Sequence, residues 1–213
     1  MESEFHPLLD LLIPHSHAPS ELVQRIHSNI HNRLSLNRYK AALTYWNKHS
    51  LHTKAFSSLE QASKEDVEEL LYKYVRVFNK MFFSEGLPTH RYALVLVPTN
   101  TNPNNRETRT RTENTKATTI LYLSSPMKCL PLLGKLVHEM VIAYLQLYSN
   151  PRNVELGHVY DLGATGHGLW WYAACVTIES FVLKDLGVDL KTSADFHFRS
   201  EVEGMISGDG LKS

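Results

Sequence analysis

Cysteine is nearly missing from this chain: Cys129 and Cys175 are the only two in 213 residues, and both sit among apolar neighbours. That excludes a disulfide framework and a four-cysteine zinc ribbon, and leaves two buried free thiols as the expectation. An excess of charge is missing too, because lysine plus arginine and aspartate plus glutamate stand at 22 each. No global field announces a nucleic-acid partner, so any such binding has to be local. Between Met1 and Pro14 there is no basic segment followed by a long apolar run, so no signal peptide is expected. No stretch approaches the length of a membrane span, and there is no internal repeat or long low-complexity linker. These absences point to an intracellular protein, nuclear or cytoplasmic. An apolar fraction of 43% supports one substantial packed domain carrying an N-terminal extension.

What is there reads as helices around a few strands. Ser20, after Pro19, can cap a helix on which Leu22, Ile26 and Ile30 recur at helical spacing, and a second helix can run from about Asn37 through Trp46. Ser63 is a good N-cap for a helix to about Phe82, with Glu65 and Asp66 in its first turn and Val67, Leu70, Leu71, Tyr74, Val77 and Phe78 along one face. Tyr92 to Val97 and Thr118 to Leu123 read as strands. The polar segment between them, Thr99 to Lys116, contains no plausible core residue and reads as a mobile hairpin loop. A strongly apolar helix follows from about Leu132 to Tyr148, stopped by Asn150-Pro151, and a second runs from about Leu169 to Leu186. The organisation expected is an N-terminal helical extension over 1–62 packed on the core, a core domain over 63–190, and a C-terminal tail of short elements over 191–213.

Chemistry concentrates in the first apolar helix. His138-Glu139-Met140-Val141-Ile142 reads like the H-E-x-x-H zinc helix with its last letter changed. In the intact pattern two histidines at i and i+4 share one helix face and bind the metal, and the glutamate accepts a proton from water. Here Ile142 cannot coordinate anything. Glu139 is an ionisable group in a helix of Leu, Val, Met, Ile, Ala and Tyr, so either this strip faces solvent or something positive meets it. Further on, Thr165-Gly166-His167-Gly168 precedes a helix, and its glycines allow a turn that presents the imidazole to that first helix.

Together these pieces resemble the SprT-like family of zincin-fold metallopeptidases, which includes DNA–protein crosslink proteases. The resemblance spans roughly Val67 to Phe181. It rests on Phe78-Asn79-Lys80-Met81-Phe82-Phe83 with Gly86-Leu87-Pro88, the strand Ile120-Leu121-Tyr122-Leu123-Ser124, the His138-Glu139 helix, and Thr165-Gly166-His167-Gly168 followed by Trp171 and Ile178-Glu179. It implies an α+β zincin-like domain with a small sheet, zinc on His138 and His167, Glu139 as general base, and a third ligand at the position that Ile142 holds.

Three readings of Ile142 stay open. In the first, a catalytic zinc site one ligand short makes a pseudo-peptidase with weak or absent zinc. In the second the site is rewired: His158 replaces the lost ligand, Asp161 orients an imidazole or coordinates, and Tyr160 assists the oxyanion. In the third the fold serves binding, with Arg106, Arg109, Arg111 and Lys116 offering phosphate contacts to DNA, or another surface engaging a protein partner. The chain lacks the cysteines of the zinc ribbon found after the catalytic domain in several relatives, which weakens the carry-over of DNA binding. His27 and His31 form a competing i, i+4 pair without a glutamate after the first, and His15 with His17 forms a short loop pair. Surface or boundary positions are expected for both pairs.

Overall fold

The cap at Ser63 is formed in full. Ser63 Oγ accepts from Asp66 N at 3.1 Å, and Asp66 Oδ2 accepts from Ser63 N at 3.3 Å, a reciprocal box that satisfies two orphan donors at a helix start. In the computed structural model, which describes residues 12–31, 40, 43–44, 46–47, 63–98, 109–113, 115–123, 129–150, 161–163 and 165–207, that helix is the second element. The order is α1 (Pro19–His31), α2 (Lys64–Phe82), β1 (Tyr92–Pro98), β2 (Arg109–Glu113), β3 (Lys116–Leu123), α3 (Cys129–Tyr148), α4 (Leu169–Leu186) and α5 (Ala194–Ile206). The class is α+β, and most of the second N-terminal helix expected near Asn37 lies outside the described residues.

α3 is the centre of the fold. Sixteen of its side chains are buried, and α1, α2, α4, β2 and β3 all pack against it. It begins at Cys129 rather than Leu132, because Pro131 falls in the first turn, where a missing N–H leaves no hydrogen bond unmade. By length and composition it is also apolar enough to cross a bilayer, contrary to the expectation that no stretch approaches that length. Its apolar surface is covered by the neighbouring helices and sheet. Both thiols, Cys129 and Cys175, are free and buried, as expected.

β3 is the middle strand of a three-stranded sheet. It runs parallel to β1, from Tyr92 opposite Ala117 to Pro98 opposite Leu123, and antiparallel to β2, from Arg109 opposite Ile120 to Glu113 opposite Lys116. β2 corrects the expectation of a mobile hairpin loop over Thr99 to Lys116 for its described part, since Arg109–Glu113 is a strand. Arg109, Arg111 and Glu113 point to solvent, whereas Thr110 and Thr112 are half-buried. The inward residues are threonines because the surface they meet is polar. Thr110 Oγ1 donates to Glu139 Oε2 at 2.6 Å and Thr112 Oγ1 to Gln146 Oε1 at 2.7 Å. A strand with no aliphatic residue is invisible to a search for apolar alternation.

The N-terminal layer packs directly on this core. α1 buries Leu22, Val23, Ile26 and Ile30, and Asn29 Nδ2 donates to the carbonyl of Phe82 at 2.9 Å. Trp46 is buried against Tyr74 and Phe78. The Asn79 amide bridges to Leu87, donating to its carbonyl and accepting from its N–H, both at 2.9 Å, which fixes the Gly86-Leu87-Pro88 turn after α2. His27 and His31 stack on each other at the surface, with ring centroids 3.8 Å apart.

The C-terminal segment also departs from expectation. Gly187, at φ 66°, ends α4, and the chain from Val188 then lies along α3 before entering the 13-residue α5. A tail of short elements was expected there. The approach to α3 is close at Gly134, where an added Cβ would stand 1.9 Å from the Lys191 carbonyl oxygen. Only glycine allows that contact. Gly134→Ala must push the 188–192 segment off α3, so it should destabilise the protein by about 1–3 kcal/mol, as overpacking typically does. Urea unfolding followed by circular dichroism tests this, and an unchanged midpoint would contradict the packing described.

Candidate metal centre

His138 and Gly134 are one helical turn apart on α3, so the segment that lies over Gly134 also lies over His138. As a result His138 Nδ1 sits 3.1 Å from the backbone carbonyl of Thr192. A carbonyl only accepts, so Nδ1 carries the proton and Nε2 presents its lone pair. Thr192 is itself held from α4, where Glu179 Oε1 accepts from its N–H at 2.5 Å and its hydroxyl at 2.6 Å. Glu179 thus positions the imidazole through Thr192.

His167 is fixed by a different relay. Gly163 and Gly166 have φ of 77° and 87°, and an added Cβ on Gly168 would lie 2.4 Å from the Asp161 carbonyl, so the turn needs its glycines. Within it, Thr165 Oγ1 is 2.6 Å from His167 Nδ1 and donates to Glu201 Oε2, which also accepts from Thr165 N at 3.3 Å. The single hydroxyl proton goes to the carboxylate. His167 Nδ1 must therefore donate to Thr165, and its Nε2 is again a lone pair. Asp161 closes this turn through its carbonyl, which accepts from Trp170 N at 3.3 Å.

The two bare nitrogens face each other: His167 Nε2 stands 2.9 Å from His138 Nε2. Burial pushes the His138 imidazole down to about 4, against the raising effect of the Thr192 carbonyl. It pushes His167 down to about 3, helped by its histidine neighbours. Neither ring is charged at neutral pH. The structure thus brings together two of the three histidines that the sequence singled out as ligands, His138 and His167. Residues 151–160, and with them His158 and Tyr160, lie outside the described residues.

Among the described residues, Glu139 meets neither solvent nor a positive group. It is 1% exposed, its Oε2 accepts from Thr110 Oγ1, and its Oε1 lies 3.9 Å from His138 Nε2. Desolvation raises its carboxyl to about 7, with the Thr110 hydrogen bond pulling the other way. A neutral hydroxyl and partial neutralisation of the acid itself stand where the sequence led us to expect solvent or a positive group. Ile142 is 6% exposed and borders the glycine turn, 3.9 Å from where a Cβ on Gly166 would stand. It occupies the ligand face of α3 as a core residue.

A third histidine was not foreseen. His197, on α5, has its ring centroid 4.8 Å from that of His138 and 4.8 Å from that of His167, and the latter two are 4.9 Å apart. Trp171, fully buried, packs edge-on beneath His138 and His167 at 4.7 Å from each. Ala194, His197 and Glu201 recur at helical spacing, the pattern that marks the inward face of α5. As the side chains stand, no group of three or more His, Cys, Asp or Glu among the described residues is set to hold a metal ion. The His197 ring stacks at 20° on His167.

Of the proposed phosphate contacts, Arg109 and Arg111 share the exposed face of β2, Lys116 is exposed at the start of β3, and Arg106 is outside the described residues. Compared with models of known families, with curated proteins and with solved structures, the chain matches none.

Glu139 generates a pH test. Its folded pKa of about 7 lies above its ordinary 4.5, so the folded chain keeps a proton that the unfolded chain has released. Glu139 therefore lowers stability progressively as pH rises between those values. Glu139→Gln abolishes the titration, and in metal-free protein its unfolding free energy should gain on the parent by about 3 kcal/mol from pH 4.5 to 7. Parallel curves from urea unfolding would show that the carboxyl is not desolvated.

Proposed function

We propose that this chain is a SprT-like metallopeptidase-family domain of zincin type whose zinc-dependent proteolysis is impaired by Ile142. The observation that carries the reading is the pair of facing Nε2 atoms of His138 and His167, 2.9 Å apart, with the Glu139 carboxyl 3.9 Å from one of them. Both imidazoles have their hydrogens turned outward to Thr192 and Thr165, the arrangement in which histidine serves as a ligand. Zinc, when bound, would supply a polarised water and a Lewis acid for a peptide carbonyl. Glu139, held by Thr110, would accept the proton from that water, and a carboxyl near 7 is suited to doing so at neutral pH. Ile142 accounts for the impairment, because catalytic zinc sites use three protein ligands and this helix offers one.

A second reading, as a binding module for DNA, is favoured by one observation. Arg109 and Arg111 project from the same exposed face of an edge strand, where phosphates can be reached. Affinity for a DNA duplex should then fall steeply with salt and with Arg109→Ala or Arg111→Ala, and salt-insensitive binding would remove this reading.

The peptidase reading is tested with labelled casein and added zinc. The parent should cleave slowly, Ile142→His should raise kcat/KM by about 10–100-fold, and Glu139→Gln in that background should abolish the gain. An Ile142→His protein that binds zinc and cleaves no faster than the parent would overturn it.

A further inference from the structure

We propose that His197, reaching in from α5, takes the ligand role that Ile142 cannot fill, so that His138, His167 and His197 bind one divalent metal ion of the zinc type and clamp α5 to the core. His138 Nδ1 faces a carbonyl and His167 Nδ1 faces a hydroxyl whose proton is committed to Glu201, so both Nε2 atoms are acceptors pointed at each other. Two lone pairs at hydrogen-bond distance repel unless a cation stands between or beside them. The third ring is equidistant from both, with centroids 4.8 Å away, and the three rings rest on Trp171.

The same helix supplies the supporting contact. His197 and Glu201 are one turn apart on the inward face of α5, and Glu201 holds Thr165, which orients His167. Glu179 holds Thr192, which orients His138. Carboxylate-backed histidines of this kind are what metal sites use to set tautomer and direction. Three imidazoles suit zinc, and also cobalt, nickel and copper in divalent form. Nitrogens about 2.0–2.1 Å from a tetrahedral ion lie about 3.3 Å apart, so binding parts the His138 and His167 nitrogens slightly and turns His197 out of its stack. A metal-free cluster is the competing account. It leaves the facing lone pairs to a shared proton and gives His197 no role as a ligand.

This inference shares with the peptidase reading the pairing of His138 with His167. It is tested by binding alone, so a chain that holds zinc and cleaves nothing would support it while failing the other. Full-length protein, stripped with chelator and dialysed, is titrated with zinc by calorimetry and with cobalt by visible absorption. One zinc per chain, a tetrahedral cobalt spectrum and slower amide exchange across 194–206 on zinc addition are expected. His197→Ala should keep its far-ultraviolet circular dichroism, lose at least about 10–100-fold in zinc affinity and lose the exchange protection. Adding Ile142→His to His197→Ala should restore the affinity, since it returns a third imidazole to the same centre. Zinc bound equally well by His197→Ala would belong to the surface histidines and would overturn the proposal. A stripped parent that takes up no zinc would overturn it as well.

Discussion

Two polar side chains in the middle of a fully wrapped helix set the terms for everything packed around them. α3 is apolar on nearly all sides and has to be enclosed, yet His138 and Glu139 sit at its centre with 7% and 1% of their surface exposed. A buried group of either kind without a partner is destabilising on the order of several kcal/mol. Three neighbouring segments therefore bring a polar atom to these two side chains. β2 contributes the Thr110 hydroxyl, the segment after α4 contributes the Thr192 carbonyl, and the glycine turn contributes His167.

These contributions come from parts of the chain with no local reason to fold as they do. β2 has no apolar face, and its inward residues are polar because Glu139 and Gln146 need hydroxyls. The 188–192 segment crosses α3 at Gly134, whose missing side chain is what lets the Thr192 carbonyl come within 3.1 Å of the imidazole. Tightness at one residue thus fixes a tautomer one turn away. The Glu179 and Glu201 carboxylates stand behind the two histidines from different helices, so both rings are oriented by the tertiary fold rather than by their own elements.

That division explains what could be read from the sequence. α1, α2, α3 and α4 announce themselves through apolar spacing, the Ser63 capping box and the breaks at Gly187 and Asn150, because each depends on burying its own face or closing its own ends. β1 and β3 are visible as aliphatic runs, while β2 escapes because Arg-Thr-Arg-Thr-Glu carries its information in which threonines meet α3. His138, Glu139 and His167 were legible as a spaced pattern. His197 was not, since it lies outside any such pattern; its one signal is recurrence with Ala194 and Glu201, which acquires meaning only once α5 is seen docked. The partner of Glu139 was misjudged for a related reason. Solvent or a cation was the expected solution, but a buried acid can instead hold its proton when a hydroxyl satisfies the oxygen.

If His138, His167 and His197 hold a metal, drawing the donors from three elements changes what the ion would do. With histidines at i and i+4, α3 alone would fix two donors, and the centre would exist wherever that helix forms. With Ile142 in that place the face becomes core, and the remaining imidazoles come from α3, the glycine turn and α5. Such a centre is complete only when α5 is docked, because α5 carries both His197 and the Glu201 that orients His167 through Thr165. Binding energy for the ion would then appear as attachment of the C-terminal helix. A site arranged in this way is better matched to holding the fold closed than to keeping an open coordination position for substrate.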